Sequence, residues 1–391
     1  MSKPLTLGVY QALAAKTDRT RGRGASLELP LLGLFGEVGS LLSEVKKKQR
    51  DTRSYLGYEA SVLEEMGDVL WYLAVIADRA GLSLTEIVGG DRPGGSLLFD
   101  DISFASLQPQ RTLPLLAPTT AFERTLMRLA GKAGALVGAH GNIVLDGKLD
   151  DLKRDLSSLF SELLEAANEA GVTLDHAASH NLEKTFDRWP IDKKYAALFD
   201  EGFPPEEQLP RALTVEIFER VLNQGEAKER RYVIQRCNGV LIGDRLTDNV
   251  AQEDDYRFHD AFHYAYAAVL GWSPVTRALF RLKRKSAPDV DEAQDGARAL
   301  LTEEGIATFI FGFSKQLEFF AGQSRGDLSF TLLKTVRQFV KSYEVQRCPL
   351  WQWEEAILSG HEAFRFLKEY RRGTLHLDLI ARTLRVEALS T

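Results

Sequence analysis

Four carboxylates on two short stretches carry the best-specified chemistry in this 391-residue sequence: Glu37 and Glu44 in GLFGEVGSLLSEVKK, Glu65 and Asp68 in LEEMGDVLWYLA. Glu37 and Glu44 stand seven residues apart, about 20° from eclipsed on a 3.6-residue helix. Glu65 and Asp68 stand three apart, again on one helical face. Each acid adjoins apolar residues, Glu37 between Phe35 and Val38 and Asp68 just before Val69-Leu70-Trp71, which puts the carboxylates at the edge of a helix interface. Like charges crowded there repel unless a cation joins them. Hard oxygen ligands from two helices suit Mg²⁺, with Mn²⁺ as the alternative. The competing reading is a pair of ordinary solvated helix faces.

The elements that must position these acids are legible in the apolar spacing. Leu31, Leu34, Phe35, Val38, Leu41, Leu42 and Val45 recur at helical intervals, as do Leu63, Met66, Val69, Leu70, Leu73 and Ile76. Asp51, Ser54 and Gly57 suit a turn between them, so the two helices are expected to pack antiparallel. An earlier helix is expected over Leu5 to Lys16. The stretch Arg19 to Gly24 reads as a solvated loop or a phosphate-binding loop. Lys46, Lys47 and Lys48 complement the helix dipole, and Lys47 is the candidate among them for gripping a phosphate.

GLFGEVGSLLSEVKK followed by LEEMGDVLWYLA resembles the MazG-like all-α nucleoside triphosphate pyrophosphohydrolases, whose motif is ExxE, a spacer, then ExxD. Glu65 and Asp68 match ExxD, and Glu37 matches the first acid of ExxE. Ser40 stands where the second acid is usual. Glu44, Glu64, the Ser40 hydroxyl or a water are the candidates for the missing oxygen. The resemblance spans roughly residues 7–90. It implies Mg²⁺-dependent hydrolysis of a nucleoside triphosphate to the monophosphate and pyrophosphate, with Glu37, Glu44, Glu65 and Asp68 binding the ion and Glu64 a candidate base.

From Val88 to Thr120 the Gly- and Pro-rich text reads as a long connection, beyond which the sequence repeats itself. RLAGKAGALVGA aligns with GLFGEVGSLLSE, and EAGVTL ending at Leu174 aligns with RAGLSL ending at Leu84. In this second copy Lys132 replaces Glu37, Ala135 replaces Ser40, Asp155 replaces Glu65 and Ser158 replaces Asp68, so most of the metal chemistry is gone. NLEKTFDRW, at 181–189, resembles the tail that follows the catalytic helices in the family. Asn181 and Lys184 are therefore expected either to complete the nucleotide site of the first copy, as in a fused pseudo-dimer, or to be a helix-end residue and a surface lysine. The domain reading is 1–90 for the acidic copy, 91–120 for the connection, 121–190 for the degenerate copy and 205–391 for a C-terminal domain.

The prolines 190, 204, 205 and 210 mark that last boundary. Beyond it Leu213 to Val221 alternates as a strand, and RRYVIQRC, Asn238-Gly239 and VLIGD read as a hairpin. The rest is expected to be helical to the C-terminus, giving a mainly α protein with an α+β C-terminal domain. In EDDYRFHDAFHYAYAAVLGW, His259 and His263 are four apart on one helical face, and Glu303 and Glu304 sit in an otherwise apolar helix. These four form a second candidate metal site or a buried hydrogen-bond network. RLKRKS, at 281–286, reads as a solvated helix end or an anion-binding run.

A net charge of −6 gives no general attraction to nucleic acid or anionic membrane, and no apolar run is long enough to span a bilayer. Two distant cysteines and the start MSKPLTLGVY point to a reducing cytosolic compartment. A homo-oligomer is compatible with all of this. The functional alternative is a nucleotide-binding sensor or defence component with little turnover, the C-terminal domain acting as output.

Overall fold

The apolar stripes form the helices they predict. In the computed structural model, which describes residues 4–21, 26–89, 102–108, 116–140, 149–223, 225 and 229–389, the chain is mainly α and carries one five-stranded antiparallel sheet. It divides into two compact units, Met1–Phe186 and Asp187–Thr391. Among the described residues no helix is long and apolar enough to cross a membrane.

The first unit is helical. It contains α1 (Leu7–Lys16), α2 (Glu28–Asp51), α3 (Tyr58–Arg79), α4 (Thr120–His140), α5 (Leu149–Ala170) and most of α6 (Leu174–Arg188). Leu31, Leu34, Val38 and Leu41 of α2 and Val62, Met66, Val69, Leu70 and Leu73 of α3 are buried in one core. The α2/α3 and α4/α5 pairs pack on each other through α2 against α4 and α3 against α5. Of the expected long connection, 90–101 and 109–115 lie outside the described residues. The part between is structured: Ser103 caps a helical turn, Phe104–Leu107, and pairs with Thr6, which caps α1.

Two glutamines make the same clamp in different places. Gln11 donates to the Leu82 carbonyl (2.8 Å) and accepts from Leu84 N (2.7 Å). Gln108 donates to the Val172 carbonyl (3.0 Å) and accepts from Leu174 N (2.6 Å). Each clamped turn holds a glycine in the left-handed region, Gly81 (φ 69°) or Gly171 (φ 68°).

In the second unit the sheet runs β3-β2-β1-β4-β5, with β1 Ala212–Leu222, β2 Arg230–Cys237, β3 Val240–Leu246, β4 Arg372–Asp378 and β5 Thr383–Glu387. Asn238 (φ 50°) and Gly239 (φ 79°) make the tight turn between β2 and β3. The expectation of a helical C-terminus fails here: GTLHLD and TLRVE form β4 and β5, and β4 pairs with β1 through Val215 and Leu375. Their alternation is too short to stand out, and the pairing with β1 stabilises what local pattern leaves undecided.

Among the helices that accompany the sheet are α7 (Asp260–Ala265), α8 (Pro274–Phe280), α9 (Ala297–Ser314), α10 (Phe330–Phe339) and α11 (Leu350–Tyr370). A π-helical turn, Tyr266–Leu270, directly follows α7. RLKRKS is solvated in part: Arg281 ends α8 and is exposed, as is Lys285, whereas Arg284 is fully buried and bonds Asp295 (2.7 Å) and Glu344 (2.6 Å). Arg257 is similarly enclosed by Asp248, Glu219 and Asp255.

Candidate functional site

Glu37 on α2 and Glu65 and Asp68 on α3 each offer a carboxylate oxygen, and the three oxygens lie within 4.8 Å of one another. Burial and the charge of Asp68 raise the Glu37 pKa, and burial, Asp68 and Glu37 push Glu65 up to about 8. Glu65 therefore keeps a proton at neutral pH, hydrogen-bonded to Glu37, while its Oε2 is buried without a hydrogen-bond partner. A cluster of this kind accepts a hard divalent ion in place of the shared proton. The half-buried setting and the all-oxygen donor set fit Mg²⁺ or Mn²⁺.

Helix α6 closes the cluster on one side. The Lys184 ammonium bonds both Asp68 oxygens (2.5 Å to Oδ1) and Glu64 (3.1 Å). Asn181 Nδ2 donates to Asp68 Oδ1 (2.8 Å). The fully buried Tyr10 hydroxyl donates to Asn181 Oδ1 (3.2 Å), which fixes the direction of the amide. The approach of α3 to α6 depends on Gly67, where a Cβ would meet the Ala177 carbonyl oxygen at 2.7 Å and Asn181 Cβ at 3.0 Å. On α2, a Cβ at Gly33 would lie 2.2 Å from the Tyr72 ring, so the missing side chain admits that ring. Burial and the charges of Glu37 and Asp68 push the Tyr72 hydroxyl up to about 12.

Glu44 and Lys47 lie apart from this group. Glu44 is buried and accepts from Lys47 (2.5 Å) and from the Tyr55 hydroxyl. Seven residues carry it far enough along α2 to face the turn before α3 instead of Glu65 and Asp68. Arg21 of the basic stretch pairs with Asp78 (3.0 Å), and 22–25 lie outside the described residues. In the α4/α5 pair Lys132 bonds Glu162 (2.9 Å) and Asp155 bonds His140 (3.0 Å). No second trio of carboxylates gathers there among the described residues.

Gly67, Gly33, Tyr72 and the glutamine pair are absent from the sequence reading. The signal for Gly67 lies in its place between Glu65 and Asp68 on a helix, where glycine costs stability and needs a packing reason.

In the second unit, His259 and His263 converge with Glu304, their ligand atoms within 4.8 Å of one another. Glu303 does not join that point: its Oε1 bonds His263 Nδ1 (2.8 Å), on the far side of the ring. Burial lowers the His263 pKa, but Glu303 and then Glu304 outweigh it and hold the ring well above the usual histidine range. Without another cation, the ring itself carries the charge.

Together these features define a mainly α protein with a carboxylate cluster on a helical unit and a separate α+β unit. The family described as MazG C-terminal domain matches residues 194–390, half of the chain, and the chain belongs to that family. It is also 31% identical over 86 residues to the Gene 37 protein of Mycobacterium phage L5, which is 20% of this chain and 75% of that protein. No solved structure matches.

Proposed function

We propose that the chain is a Mg²⁺- or Mn²⁺-dependent nucleotide pyrophosphohydrolase that converts a nucleoside triphosphate to the monophosphate and pyrophosphate. The observation that carries this reading is the convergence of Glu37, Glu65 and Asp68 beside a lysine donated by another helix. Membership of a MazG family supports a nucleotide as the substrate class.

In the proposed reaction Glu37, Glu65 and Asp68 would hold the ion, which when bound would supply positive charge to the phosphates and lower the pKa of a water. Water oxygen attacks the α-phosphorus as the bond to the bridging oxygen breaks, and pyrophosphate leaves. Lys184 keeps an ammonium at the rim for phosphate oxygens, and Asn181, oriented by Tyr10, steadies Asp68. Glu64, beside Lys184, is the candidate acceptor for the proton of the attacking water.

The first unit reads as two related helical copies, one acidic and one depleted of acids. The matched clamps of Gln11 and Gln108 support this. So does the placement of Asn181 and Lys184, which follow the second helix pair in the chain but bond Asp68 of the first. One observation favours a nucleotide-binding sensor with slow turnover: Lys184 already neutralises Asp68. The test is pyrophosphate release from a panel of ribo-, deoxy- and modified triphosphates with Mg²⁺ or Mn²⁺. Loss of release in Glu65→Gln and Asp68→Asn with helical content unchanged supports the enzyme; tight triphosphate binding without release supports the sensor.

A further inference from the structure

The first unit leaves unexplained a second group of ligating side chains that lies wholly within the second unit. We propose that His259, His263 and Glu304 bind one divalent transition-metal ion of the zinc class, through the two imidazole Nε2 atoms and the Glu304 carboxylate. The proposal is independent of the pyrophosphohydrolase reading.

Both rings are held in the orientation this requires. His263 Nδ1 faces Glu303 Oε1 at 2.8 Å, and His259 Nδ1 faces the Tyr256 carbonyl at 2.9 Å. Each partner is an acceptor, so each Nδ1 carries a hydrogen, and once His263 gives up its second proton to make way for an ion each Nε2 presents its lone pair. Glu304 Oε2 lies 3.7 Å from His259 Nε2 and 3.4 Å from His263 Nε2, and one ligand atom from each of the three residues lies within 4.8 Å of the others, a spread that one ion can bridge. His263 Nε2 is buried, on a side chain only 2% exposed, and makes no well-aligned hydrogen bond, the Glu304 carboxylate standing 3.4 Å away.

The surrounding residues hold these ligands still. Glu303 is fully buried and also accepts from Ser273 Oγ (2.7 Å) and Val275 N (2.8 Å), an arrangement typical of a carboxylate that backs a metal-binding histidine. The His259 ring stacks on Tyr256 at 4.3 Å, and the Tyr256 hydroxyl is tied to Thr308 (2.8 Å). The π-helical turn that follows α7 is a feature enriched at functional sites.

Charge argues in the same direction. Asp260, Glu303 and Glu304 surround the two rings, and among the described residues no lysine or arginine pairs with any of them. Two nitrogen ligands select zinc-class ions over Mg²⁺, which takes oxygen. Glu304 is 41% exposed, so this side is open to a solvent or substrate ligand.

The test uses the tag-free full chain, stripped of metal and titrated with Co²⁺ in excess Mg²⁺, which keeps the oxygen site of the first unit occupied. The wild type is expected to take up one Co²⁺ with the visible bands of nitrogen ligation, which Zn²⁺ bleaches. Two exchangeable, paramagnetically shifted Nδ1–H resonances are also expected. His259→Ala and Glu304→Gln should lose the bands with circular dichroism unchanged, and Glu303→Gln, a positioning change, should weaken binding about tenfold or more. If His263 simply keeps its proton between Glu303 and Glu304, the wild type yields no bands and no shifted resonances. That result, or bands that persist in both ligand variants, overturns the proposal.

Discussion

Replacing Glu65 by glutamine should stabilise the metal-free protein while abolishing turnover. Glu65 is pushed from its ordinary 4.5 up to about 8 by burial and by Asp68 and Glu37. Between those values the folded protein binds a proton that the unfolded chain has released, so this group's contribution to stability falls as pH rises from about 4.5 to 8 and then levels off. At pH 7 the gap corresponds to a ceiling of about 3 kcal/mol, which solvent screening at this half-buried rim reduces to about 1–2 kcal/mol. Glutamine mimics the protonated acid: it can donate to Glu37 and has no charge to suppress. Urea melts of EDTA-treated protein at pH 5, 6, 7 and 8 should diverge, with the wild type losing stability across the series and Glu65→Gln staying flatter. Added Mg²⁺ should then reverse the order, because only the wild type gains binding energy, about 2.7 kcal/mol at a hundredfold excess over Kd. A variant less stable than wild type without metal, or equally protected by Mg²⁺, would refute the claim that carboxylate repulsion is stored at this site.

Other substitutions probe the neighbours. Gly67→Ala puts a methyl group 2.7 Å from the Ala177 carbonyl oxygen; it should cost about 1–3 kcal/mol in a melt and lower kcat through a displaced Lys184. Lys184→Met should strengthen apparent Mg²⁺ binding, since Asp68 loses its competing cation, yet reduce turnover, both read from a metal titration of pyrophosphate release. Glu44→Gln should leave the Mg²⁺ midpoint unchanged and cost about 1 kcal/mol from its bonds to Lys47 and Tyr55, whereas Ser40→Glu, one turn from Glu37, should lower the midpoint. Arg284→Met strands the buried carboxylate of Asp295 beside Glu344 and should cost about 3–5 kcal/mol by denaturant melt.

Much of the helical unit was legible because one variable, apolar spacing, sets both its helices and the faces they bury. Spacing grouped Glu65 with Asp68, since residues three apart on a helix share a face, while Glu37, on the other helix, joined them through the expected antiparallel pair and the motif resemblance. Glu44 escaped that logic. Seven residues preserve the face but carry a side chain about 10 Å along the axis, enough to reach a different partner, Tyr55. Direction along an element decides contact, and periodicity is silent about it. The late strands β4 and β5 were illegible for another reason: β5 pairs with β4, and β4 finds its other partner, β1, more than a hundred residues away in the chain, so a few alternating residues look alike whether or not a partner exists.

The two histidines illustrate how a spacing signal gains meaning from what lies behind it. Four-residue separation put His259 and His263 on one face, but the same separation serves many core histidines. Glu303 and Glu304, adjacent in sequence, divide two tasks because adjacent helical residues point about 100° apart. Glu303 turns inward to Ser273 and the His263 Nδ1, and Glu304 turns toward the Nε2 atoms. One carboxylate thus fixes the ring and the other faces the point on which both rings converge. Exchanging their roles would require rotating α9 about its own axis, which its buried Ile306 and Ile310 oppose. The packing of an apolar helix face therefore determines which acid can ligate, and Glu304→Gln and Glu303→Gln should differ in kind: the first removes a ligand, the second loosens one that remains.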